Sequence, residues 1–170
     1  MTTEPEQRHT IAVLVDNEPG VLARVIGLFS GRGYNIDSLT VAAVDRVSNL
    51  SRINIVTSGT AAVIEQIKAL LEKLVPVHKV ADLTIEGPHV ERELALVKVA
   101  STGERRVEAL RMAELIGARV VDVTLESFVF ELADVSEHID DFVELMRPLG
   151  LVEIARTGVA AMARGPAARA

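Results

Sequence analysis

The chain contains no cysteine and no tryptophan, and only one tyrosine and four phenylalanines stand among its 170 residues. Without thiols there is neither a disulfide framework nor thiolate chemistry, and four dispersed histidines leave a zinc site almost no ligands. An aromatic content of 3% leaves few rings for base stacking. A net charge of −6 runs against the clustered Lys and Arg that phosphate contact needs, so no nucleic-acid partner is expected. No apolar run approaches the roughly 20 residues of a membrane span, and no membrane association is expected. The start, Met1-Thr2-Thr3-Glu4-Pro5-Glu6-Gln7-Arg8, is acidic and polar, unlike a signal or transit peptide, which points to the cytoplasm. An enzyme would need a nucleophile or an acid–base pair in a cleft, and the chain offers no Cys, no paired His and no Walker-type phosphate loop. What remains is 49% hydrophobic and 25% charged residues, ordinary for one or two small globular domains that bury a core without staples.

Apolar patterns of period 2 and period 3.6 alternate in a fixed order. A strand over residues 9–15 has Ile11, Val13 and Val15 on one face and Ala12 and Leu14 on the other, so it is expected at the centre of a sheet. A helix over 20–31 carries Val21, Leu22, Val25, Ile26, Leu28 and Phe29 as one broad stripe. Strands over 36–44 and 50–57 flank a polar hairpin loop, Asp45 to Asn49. A second helix over 60–73 repeats the stripe with Val63, Ile64, Ile67, Leu70, Leu71 and Leu74; Pro76 stops it, and a strand over 77–85 follows. After the turn-rich joint Glu86-Gly87-Pro88-His89 the βαββαβ order repeats: strand 90–100, helix 104–115, strands 118–124 and 128–132, helix 136–147, strand 151–155. The helical stripes there are Val107, Leu110 and Leu115, then Ile139, Phe142, Val143 and Met146, and Gly117 and Gly150 stand where left-handed helix stops are needed. The fold class is therefore α+β, two ferredoxin-like domains over 8–86 and 87–162, with 163–170 as a disordered tail.

The halves differ at their first turn. The first carries Asp16-Asn17-Glu18-Pro19-Gly20, the second Ser101-Thr102-Gly103-Glu104. In the first, Asn17 or Glu18 is placed near the N-cap, Pro19 fits the opening helical turn, and Gly20, lacking Cβ, lets a ligand approach backbone N–H groups. The positive end of the helix dipole favours a carboxylate there, and the Asn17 amide offers both donor and acceptor to a zwitterion. A well-capped helix start with no ligand explains the same residues. Asn35, just past the Gly33 turn, is a second amide that suits the same ligand or plain turn chemistry.

The run Asn17-Glu18-Pro19-Gly20-Val21-Leu22-Ala23-Arg24-Val25-Ile26-Gly27-Leu28-Phe29-Ser30, followed by Arg32-Gly33-Tyr34-Asn35-Ile36-Asp37-Ser38-Leu39-Thr40-Val41, closely resembles the small regulatory subunits of acetolactate (acetohydroxyacid) synthase. Ser51-Arg52, His89-Val90-Glu91-Arg92-Glu93-Leu94 and Ile154-Ala155-Arg156-Thr157-Gly158 look like the same family, so the resemblance spans nearly the whole chain. It implies an N-terminal ACT domain and a C-terminal ferredoxin-like domain, in a homodimer whose ACT sheets pair side by side. It further implies an effector, valine or another branched-chain amino acid such as isoleucine, bound by Asn17 and Gly20 of one protomer and Asn35 and Ile36 of its partner, with Val21 and Leu22 as neighbours. The chain would activate a large catalytic subunit and confer feedback inhibition on it in branched-chain amino acid biosynthesis. It implies no cofactor on this chain; thiamine diphosphate, Mg and FAD belong by resemblance to the catalytic subunit. The alternative is a free-standing ACT-type amino-acid sensor acting on another enzyme, which would not require the second half. His78 and His89 read as surface histidines, Tyr34 as a packing ring beside a helix end, and the Glu91-Arg92-Glu93 and Glu104-Arg105-Arg106 runs as solvated faces.

Overall fold

The computed structural model describes residues 5–170; the polar start of the chain falls partly outside the described residues, at 1–4. Packing divides the chain into two units, one of residues up to 90 together with 159–170, the other of residues 91–158.

The first unit runs β1 (Gln7–Asp16), α1 (Val21–Arg32), β2 (Ser38–Asp45), β3 (Leu50–Gly59), α2 (Ala61–Glu72), β4 (Val77–Asp82). The strands form an antiparallel sheet of order β2-β3-β1-β4, so β1 is central, as its two apolar faces require. Ile11, Val13 and Val15 meet Val21, Val25 and Phe29 of α1 and Ile64, Ile67 and Leu71 of α2 in one core. Full burial of each large aliphatic side chain contributes about 1.5–3 kcal/mol. The opposite face is not open: Ala12, Val56, Ala81 and Leu83 pack against Val159 and Ala161. On the helix-side face, which Ile11 shares, His9 Nδ1 meets the buried Asp82 Oδ2 at 2.8 Å.

The second unit repeats the order with β5 (His89–Ala100), α3 (Gly103–Ile116), β6 (Arg119–Val123), β7 (Ser127–Asp134), α4 (Ser136–Met146), a 3₁₀ turn (Arg147–Leu149) and β8 (Leu151–Arg156). Its strand order, β6-β7-β5-β8, matches that of the first unit. Val97, Val99, Phe128, Phe130 and Leu132 face Ile139, Phe142, Val143 and Met146 of α4, as the stripe on that helix predicts. Helix α3 differs. Val107 and Leu115, expected to be buried, are exposed, and Leu110 is only partly covered. The helix instead rests on Ala109 and Ala113, flanked by Met112 and Ile116, because small side chains let it settle closely against bulky Phe128 and Phe130.

A ninth strand, β9 (Ala160–Ala163), belongs by packing to the first unit, where Arg164 N–H donates to the Pro88 carbonyl. Residues 163–170, expected to be a disordered tail, instead fold back onto the first unit. Lys79 Nζ donates to the Ala168 carbonyl and Arg169 Nη1 to the Glu86 carbonyl. By packing, the second unit thus ends at 158, four residues short of the boundary expected at 162.

Two of the sequence segments singled out above meet in the second unit. Arg156 grips the buried Glu93 carboxylate at two points, Nε to Oε1 at 2.7 Å and Nη2 to Oε2 at 2.9 Å, and reaches Asp140 through Nη1. Ser136 Oγ donates to the same carboxylate at 2.8 Å. The Arg156 hydrogen bonds outweigh burial and hold the Glu93 carboxyl below its ordinary value. A group lowered in the folded state contributes stability above its unfolded value, near pH 4.3, and loses it as pH falls through the folded value. Glu93→Gln is therefore expected to cost about 2 kcal/mol in urea denaturation at pH 7, with the gap to wild type closing below about pH 4. A gap independent of pH would contradict a charge-based role for Glu93.

Candidate functional site

Helix α1 begins in an unusual way. Its N-cap is Gly20 at φ 87°, ψ −10°, and no side chain caps it. Pro19 lies before the cap, and neither Asn17 nor Glu18 fills the capping role expected of them; the left-handed glycine closes the turn with backbone alone. The first regular helical bond runs from Arg24 N–H to the Gly20 carbonyl, so the N–H groups of Leu22 and Ala23 have no intrahelical acceptor. Such donors at the positive helix end favour an anion.

The turn itself is held from outside. Asn17 N–H donates to the Asn49 carbonyl at 2.8 Å, and Asn49 Nδ2 donates back to the Asn17 carbonyl at 3.3 Å. Asn49 sits at φ 52°, in the left-handed region that Asn tolerates. Asp16 N–H donates to the Pro76 carbonyl, and the Asp16 carboxylate meets His78 Nε2 at 2.6 Å. The Asn17 backbone is thus committed within its own unit, while its side chain is exposed. Val21 is buried, and Leu22 packs at the edge of the core beside it.

Asn35 and Ile36 stand elsewhere. The Asn35 carbonyl accepts from Thr57 Oγ1 at 2.6 Å, and its Nδ2 donates to Asp37 Oδ1 at 2.5 Å. Asp37 is fixed in turn by Ser58 Oγ and by its own N–H on the Val56 carbonyl. Ile36 packs on the core, as does Tyr34, whose ring meets Phe29 edge-on and whose hydroxyl donates to Gln66.

The six candidate residues therefore form two groups. Asn17, Gly20, Val21 and Leu22 lie at the N-terminal end of α1, near Leu50, which pairs with Asp16; Asn35 and Ile36 lie at its C-terminal end, near Thr57. The 12 residues of α1 span about 18 Å at 1.5 Å per residue, and Leu50 to Thr57 spans a comparable length of strand. One small ligand cannot touch both groups of the same chain.

Asn49, Asp37 and Thr57 were not among the residues expected at the site; an Asn in a hairpin and hydroxyl or carboxyl groups on a strand carry no signal until the register is known. His78 is half-exposed, as expected of a surface histidine. Among the described residues no group of three His, Cys, Asp or Glu is arranged to hold a metal ion, and no helix is long and apolar enough to cross a membrane.

Comparison with known proteins bears on both units. Residues 11–79 match the family described as AHAS small subunit-like ACT domain, and residues 92–165 match that described as small subunit of acetolactate synthase. The chain is 47% identical over 158 residues to a probable acetolactate synthase small subunit of Archaeoglobus fulgidus, covering 93% of this chain and 98% of that protein. It is 46% identical over 159 residues to the acetolactate synthase isozyme 3 small subunit of Salmonella typhimurium, covering 93% and 96%. The crystal structure of the acetolactate synthase small subunit from Thermotoga maritima superposes with a TM-score of 0.84 at 36% identity, over 95% of this chain and 99% of that one.

Proposed function

The chain belongs to the acetolactate synthase small-subunit family, and from that premise we propose that it is a regulatory subunit whose effector, valine or a related branched-chain amino acid, binds between two copies of the first unit. The observation that carries this reading is the split of the candidate residues between the two ends of α1. Strand β2 is the edge of its sheet, and its residues 41–44 are exposed. A two-fold axis beside that edge sets α1 antiparallel to its copy, so Asn17 and Gly20 of one protomer meet Asn35 and Ile36 of the other.

In such a site the effector carboxylate takes the free N–H groups of the α1 start, and the two Asn amides hold the ammonium and carboxylate ends. Val21, Leu22 and Ile36 offer an apolar wall to a branched side chain. One methylene is worth about 1–3 kcal/mol in such a pocket, so valine, leucine and isoleucine compete for it.

Activation and inhibition then follow from linkage. The chain supports a thiamine-dependent catalytic subunit, which carries the chemistry, and the effector stabilises a dimer arrangement that supports it less well. A coupling of about 1–3 kcal/mol gives clear feedback inhibition. Reconstitution tests this directly: adding the chain to the acetolactate synthase catalytic subunit of the same organism is expected to raise its rate, and valine to reverse the rise. An unchanged rate with and without valine would overturn the regulatory-subunit reading.

A further inference from the structure

Arg52, on β3, was singled out by the sequence and plays no part in the effector site. It lies on the face of the first unit's sheet that the C-terminal residues cover. Its guanidinium is half-buried and donates from Nη2 to the Ala161 carbonyl at 2.7 Å and from Nε to Asn54 Oδ1 at a long 3.4 Å. Both partners are neutral. Loss of water lowers its proton affinity, and among the described residues no carboxylate forms an ion pair with it. The chain has 24 Asp and Glu against 18 Lys and Arg, so an uncompensated, half-buried cation stands out.

The guanidinium forms part of the wall of a cavity of about 250 Å³ that also touches Met162, Ala163, Pro166, Ala168 and Arg169. Arg169 is already committed, with Nη1 on the Glu86 carbonyl and 3.7 Å from its carboxylate. Gly165, Ala167 and Ala170 complete the lining; Ala170, the last residue of the sequence, carries a terminal carboxylate that forms no ion pair with Arg52, and the other lining side chains are uncharged. The Nη1 hydrogens and the second Nη2 hydrogen of Arg52 remain, which is the edge that clasps a carboxylate at two points. The volume sits just below the range of drug-sized pockets, which suits a ligand of a few heavy atoms.

We propose that this cavity is a second binding site, separate from the effector site, for a short-chain aliphatic carboxylate whose head pairs with Arg52 and whose tail lies against Met162, Pro166 and Ala168. An occupant would bridge β3 and residues 162–170, and so fasten the C-terminal segment to the sheet.

Titration of the isotopically labelled full chain with sodium butyrate, followed by NMR, tests this. Saturable shifts of the Arg52 Hε signal and of amides over 161–170 are expected. Arg52→Gln should weaken binding about tenfold or more, and Arg52→Lys, which keeps the charge, should retain part of it. Butan-1-ol should not bind, and Asn17→Ala should bind butyrate as the wild type does. No saturation at tens of millimolar, equal affinity in Arg52→Gln, or displacement by inorganic phosphate as effective as by butyrate would each overturn the assignment. Because Asn17→Ala separates the two sites, a failure here is distinguishable from a failure of the effector reading.

Discussion

Replacing Gly150 with alanine is expected to destabilise the second unit by about 4 kcal/mol, the sum of backbone strain and overpacking. Gly150 closes the 3₁₀ turn before β8 at φ 107°, ψ 35°, a conformation that side-chain-bearing residues rarely adopt. A Cβ built there stands 2.1 Å from the Ala100 carbonyl oxygen and 3.1 Å from its carbon, both backbone atoms that cannot rotate away. The approach is fixed by a hydrogen bond from Ala100 N–H to the Gly150 carbonyl at 2.8 Å, so relief of the clash forfeits the bond that starts the β5–β8 ladder. At roughly 2–4 °C per kcal/mol for a chain of this size, thermal melting should fall by about 8–16 °C. A shift of only a degree or two would mean that the 147–151 turn is far more pliant than this contact allows.

The second large effect concerns the effector. Asn17→Ala and Asn35→Ala are each expected to cost about 2–3 kcal/mol of valine affinity, roughly 30- to 150-fold, since each leaves a polar end of the ligand desolvated and unpaired. Neither change should alter folding, because both side chains are exposed and the Asn17 turn is held through its backbone by Asn49. Isothermal titration calorimetry reads the loss, and urea denaturation checks the fold. Wild-type affinity in either variant would remove that residue from the site.

Most of the fold was legible in the sequence for reasons that can be stated residue by residue. Two apolar faces put β1 at the centre, and the stripe of Ile139, Phe142, Val143 and Met146 named the core face of α4. Gly117 and Gly150 are both left-handed helix stops, as their spacing demanded. Helix α3 misled because its core face is alanine. The periodicity is strongest where Val107, Leu110 and Leu115 recur, whereas Ala109 and Ala113 gain their burial from the size of the phenylalanines opposite, which no single-helix pattern contains. The C-terminal segment was illegible for a related reason. Nothing local makes a strand of Ala160–Ala163; Ser38 and Thr40 bond the Val159 backbone and Arg52 bonds Ala161, partners more than a hundred residues away. The site was read in part. The helix expected over 20–31 already separates Asn17 and Gly20 from Asn35 and Ile36, and α1 keeps them at its two ends; what the register of β1 and β3 adds is that Leu50 lies beside the first group and Thr57 beside the second. Asn49, which holds the turn, looked like ordinary hairpin chemistry.

The division of the candidate residues between two protomers is tested most directly by mixing Asn17→Ala with Asn35→Ala, after co-refolding, and counting valine sites by calorimetry. Random assortment makes half of the dimers mixed, and each mixed dimer has one site with both asparagines intact, so about a quarter of wild-type capacity should return at wild-type affinity. No recovery, with dimers of both variants shown to exchange, would contradict a site built from two copies.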